Sequence, residues 1–71
     1  MDRNRDPRLT ILKEFWKNSK LTQKEAGVSM GISQSAIHQY LHGKINLNAE
    51  IIIKFSDVLG IAPSKIDPRI Y

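Results

Sequence analysis

Two helix-start signals stand eleven residues apart in this chain, with a glycine just ahead of the second. Thr22 followed by Glu25 has the spacing of a capping box, in which side chain and backbone satisfy each other's open hydrogen bonds. Ser33 has the short oxygen-bearing side chain that a second N-cap needs. Between them Ala26, Gly27 and Met30 form an apolar stripe, and Gly31 follows, where a helix ends most easily in a left-handed residue. The pattern predicts a helix over 23–30 and another from Gln34 to about His42, stopped by Gly43. Only one or two residues are left to separate them.

The flanks are helical too. Asp6 is placed as an N-cap and Pro7 at the first helical position, where its missing N–H costs nothing. Leu9, Leu12 and Phe15/Trp16 then recur at helical spacing. Asn46 or Asn48 can cap a further helix, "AEIIIKFSDVL", ended by Gly60. "IAPSKI" forms one more helical turn opened by Pro63, and "DPRIY" reads as an extended tail because Asp67 precedes a proline. With no hairpin signal, repeat or low-complexity stretch, the expectation is one all-α domain over 1–71, a compact bundle of about five short helices. Phe15, Trp16, Phe55 and Leu59 fall on the expected core.

A chain of 71 residues buries only about 60% of its unfolded surface, which leaves room for a core but not for a deep active site. The net charge is +4, which favours an anionic partner. Residues 1–22 carry six Lys/Arg against three acids, whereas 49–71 carry three against three, so the positive charge lies toward the front. The absence of cysteine fits a reducing compartment. No apolar run could span a bilayer and "MDRNRDPR" lacks the apolar stretch of a signal peptide. The expectation is a soluble, intracellular protein with no membrane partner.

On a wheel at roughly 100° per residue, Ala36, Ile37, Tyr40 and Leu41 share one side of the helix that starts at Gln34. Ser35, His38, Gln39 and His42 share the other, which carries no acid, lysine or arginine. An ordinary solvated face of a charged small protein would carry them. Amide, hydroxyl and imidazole groups both donate and accept hydrogen bonds, the mixture that base edges in a major groove require, and Gln can pair bidentately with adenine.

"GISQSAIHQYLHGK" resembles the turn and recognition helix of the helix-turn-helix repressors of lambda-like phages, and among these the Cro repressors. Seven positions carry the resemblance: Ala26, Gly27, Met30, Gly31, Ile32, Ile37 and Tyr40. It implies a helix-turn-helix over 23–42, with the helix from Gln34 lying in the major groove and the preceding one crossing the backbone. It further implies that Gln34, Ser35, His38 and Gln39 contact bases. Gln23 would hold a phosphate and steady Gln34, with Lys44 and, around it, His42 and Asn46 as backbone contacts. The implied partner is double-stranded palindromic operator DNA, bound by a homodimer that represses transcription. A chain of this length leaves no room for the second domain of larger repressors, which points to the Cro role.

The remaining features are weighed against this reading. His38 and His42 are four apart, the spacing of a helical metal pair, but no cysteine or nearby acid supplies a third ligand, so no metal or other cofactor is expected. No nucleophile elbow and no carboxylate placed to orient a base is present, so neither enzyme activity nor a small-molecule substrate is expected. Lys13, Lys17, Lys20 and Lys24 read as solubilising charge rather than phosphate contacts when each is taken singly, and Arg3 and Arg5 as either a disordered terminus or an arm that touches DNA. Ile53 falls opposite the apolar arc of its helix, and with Ile66, Ile70 and Tyr71 it is the expected subunit contact within a C-terminal dimerisation region, 49–71. A protein-interaction module of antitoxin type with secondary DNA binding is the alternative.

Overall fold

The computed structural model describes residues 6–70. Four α-helices follow one another: α1 (Pro7–Ser19), α2 (Gln23–Met30), α3 (Gln34–Leu41) and α4 (Ala49–Leu59). Every one starts on a side-chain cap. Asp6, Thr22, Ser33 and Asn48 accept from the backbone N–H groups of Arg8, Glu25, Ala36 and Ile51, which answers donors that a helix start leaves open. Thr22 and Glu25 complete the capping box, the Glu25 carboxylate accepting from the Thr22 N–H at 3.0 Å. Asn48, not Asn46, caps α4.

The expectation of about five helices is corrected to four. Beyond Gly60 only a single 3-10 turn forms, Pro63–Lys65, because three residues make no more than one turn's hydrogen bonds. His42 lies just past the end of α3 as its cap residue. Nor is the segment after Asp67 extended. The Asp67 carboxylate accepts from the Arg69 N–H at 3.0 Å, and the Ile70 N–H donates to the Asp67 carbonyl, also at 3.0 Å. An aspartate ahead of a proline favours this turn, since the side chain captures the N–H two residues on and Pro68 presets the bend.

Buried side chains from all four helices meet in one core: Leu9, Leu12, Ala26, Met30, Ile37, Leu41, Ile51, Ile52 and Phe55, joined by Leu47 and Ile66. Phe55 is fully buried at its centre, with Trp16 and Tyr40 set edge-on at 6.2 and 6.3 Å. Burial of such a ring contributes about 1.5–3 kcal/mol, and edge-on neighbours add to it. Phe15 is only half-buried and does not join this core, because consecutive helical residues point about 100° apart and Trp16 takes the inward place.

One cross-link of charges ties the two flanks of the bundle together. Arg8 holds Asp6 at 2.8 Å, Asp67 at 3.4 Å and the Leu47 carbonyl at 3.2 Å, and Arg69 holds Asp67 at 3.1 Å from the other side. Asp67 is almost fully buried between the two guanidinium groups. The Arg69 side chain, then the Arg69 N–H, outweigh burial and bring its carboxyl down to about 2.

Candidate nucleic-acid interface

The interface is built where α2 and α3 cross. A Cβ on Gly27 would meet the Ile32 carbonyl oxygen at 2.8 Å, so only glycine lets the turn lie this close on α2. Gly31, at φ +71°, ends α2 in the left-handed region. The Ile32 N–H then donates back to the Gly27 carbonyl at 3.0 Å, which closes the helix end in the manner of a Schellman turn. Two residues later Ser33 caps α3. With Ile37 and Leu41 buried beneath it, α3 has one fixed rotation about its axis, and its other face is turned outward.

That outward face carries the expected set. Gln34, Ser35 and His38 are exposed, and Gln39 is half-buried with its amide donating to the Ser35 hydroxyl at 3.4 Å. Gln23, half-buried at the first turn of α2, joins Gln34, Ser35 and His38 around one shallow open depression. It steadies no neighbour in this state, since no hydrogen bond joins Gln23 to Gln34 among the described residues. The two side chains share a surface but do not bind each other.

At the far end of α3, His38 and His42 stack with ring centroids 4.0 Å apart and planes at 30°. Both rings are exposed, as are Lys44 and Asn46 beyond them. The His38 imidazole, then lost hydration, then Lys13 and Lys44 hold His42 below the ordinary histidine range. The sequence gives no sign of Lys13 here, because its approach depends on how α1 packs against α3. Gln23, Gln34, Ser35, His38, Gln39, His42 and Lys44 thus lie in a connected series from the start of α2 along the outer face of α3 to the loop after it.

The residues expected at a subunit contact are not brought together. Ile53 is 47% exposed on α4, but Ile66 is completely buried, so its apolar surface is already spent on the core. Ile70 is half-buried and packs on the same core. Tyr71, like Arg3 and Arg5, lies outside the described residues. Val28, on the outer side of α2, is more exposed than Ile53, at 78%. No helix among the described residues is long and apolar enough to cross a membrane.

Comparison with known proteins returns one family: the model described as helix-turn-helix matches residues 12–66, from the first helix to the residue after the 3-10 turn. No curated protein and no solved structure matches the chain.

Proposed function

Since this chain belongs to the helix-turn-helix family, a family of DNA-binding transcription regulators, we propose that it is a sequence-specific repressor of Cro type. It binds palindromic operator DNA as a homodimer, with α3 in the major groove and α2 across the backbone. The observation that supports this most is the outer face of α3. Four hydrogen-bonding side chains, Gln34, Ser35, His38 and Gln39, stand on a helix whose rotation is fixed by Ile37 and Leu41. Contacts to phosphate carry no sequence, whereas amides and hydroxyls that both donate and accept can discriminate base edges.

In this reading Gln34, Ser35, His38 and Gln39 meet bases, while Gln23, His42, Lys44 and Asn46 meet the backbone. Occupying the operator excludes RNA polymerase from an overlapping promoter, with no cofactor or chemical step required. Selection of bound duplexes from a random pool tests it, and the expected product is a short palindrome. On that site Gln39→Ala should cost about 1–3 kcal/mol while binding to unselected DNA changes little. A pool that yields no consensus would remove sequence specificity, and equal losses on both duplexes would remove Gln39 from the readers.

A further inference from the structure

The stacked imidazoles stand in an unusual electrostatic setting. His38 and His42 project from successive turns of α3 with their rings 4.0 Å apart, so a proton on one disfavours a proton on the other. Lys13 on α1 and Lys44 in the loop after α3 are near enough to act electrostatically on His42. Neither α2 nor α4 sends a charged group to act on His42, and no carboxylate among the described residues does so. Lys13 is exposed and makes no ion pair with a described acid. Three elements thus bring basic side chains to one place, at the edge of a face that the preceding reading turns toward DNA.

We propose that Lys13 and His42, the latter with the His38 ring stacked against it, form a phosphate seat at the end of α3, and that a DNA phosphate entering it draws a proton from solvent onto the His42 imidazole. This rests on the DNA-binding reading and adds to it a regulation by pH and a backbone contact from α1. In the free protein the His38 imidazole, then lost hydration, then Lys13 and Lys44 hold His42 below its ordinary value. An adjacent phosphate reverses that balance, because an opposite charge at close range favours the protonated imidazole. Protons are then bound more by the complex than by the free chain. The sign follows: affinity rises as pH falls through the interval between the bound and free titration points, and levels off below it.

The test is binding by the full chain, to a selected duplex and to a random one, from pH 8 to 5.5 at constant ionic strength. Affinity should rise on both duplexes, since phosphates carry no sequence, by up to about tenfold per pH unit for each chain bound. His42→Gln should flatten the profile, and Lys13→Gln should weaken binding throughout and lower the slope of log K against log salt by about 0.9. In NMR titrations the His42 ring should titrate at higher pH in the complex than alone. DNA binding with no dependence on pH overturns the proposal, as does a dependence that His42→Gln leaves intact. A chain that binds no DNA at any pH would instead sink the reading beneath it, and the seat with it.

Discussion

At the scale of single residues, the chain is decided by what a side chain's presence or absence lets the backbone do. Gly27 illustrates it. Alanine is favoured over glycine inside a helix by about 1 kcal/mol, yet here the added carbon would sit 2.8 Å from a backbone carbonyl that cannot step aside. The clash outweighs the propensity, and Gly27→Ala should lose about 1–3 kcal/mol net, at roughly 4–8 °C of Tm for each. A thermal melt equal to the parent's would mean that the α2–α3 crossing yields easily. Much at this scale is legible beforehand, because caps depend on neighbours only two or three residues away: Asp6, Thr22 with Glu25, Ser33 and Gly31 all take the expected roles. Lys20 was not legible. It adopts φ +61° directly after α1, a place where glycine is usual, and the Ser19 hydroxyl completes the end by donating to the Trp16 carbonyl at 2.6 Å and accepting from the Leu21 N–H at 3.2 Å.

At the scale of elements, periodicity and caps define α1 to α4, whereas the segment after Gly60 depends on distant partners. Ile66, Ile70 and Asp67 look like surface from their own neighbourhood. Only the docking of the 3-10 turn on α4 and the reach of Arg8 from α1 bury them. The outer face of α3 was legible because helical period and an absence of charge both survive in one dimension; the company Lys13 keeps with His42 was not. The charged cross-link gives these elements a dependence on pH. Asp67 titrates near 2, drawn down chiefly by Arg69, and Asp6 is lowered chiefly by its hydrogen bonds from the Arg8 side chain. Both carboxyls ionise more readily in the folded chain, so their stabilisation is complete above the ordinary carboxylate range near 4 and is lost as pH falls toward 2. Melts recorded between pH 5 and 2 should show Tm falling across that window. Asp67→Asn should start lower at pH 7 and fall less, and a curve parallel to the parent's would assign the loss to other acids.

At the scale of the whole molecule, size sets how DNA can be read. The domain measures 27 × 26 × 21 Å, less than the roughly 34 Å that separates successive major-groove faces, so one copy reaches one half-site. Under the proposed function two copies are needed to read a palindrome, and Ile53 is the most exposed residue of the expected contact among the described residues. Ile53→Asp should shift sedimentation equilibrium toward monomer; unchanged dimerisation would move the contact elsewhere on the surface. The bridge from Arg8 to Asp67 has a different consequence, this time for kinetics. It spans 59 residues of chain, and nothing local helps to bring its partners together. The entropy of closing so long a loop is recovered only once the helices have docked, so the bridge forms after the rate-limiting step of folding. Such a contact acts as a latch on the way out. Arg8→Ala should leave the refolding arm of a chevron where it was and raise the unfolding rate, by roughly fivefold for each kcal/mol lost. A slowed refolding arm would instead place the bridge in the folding nucleus. As a latch, it would lengthen the folded lifetime of a small domain without changing how fast it assembles.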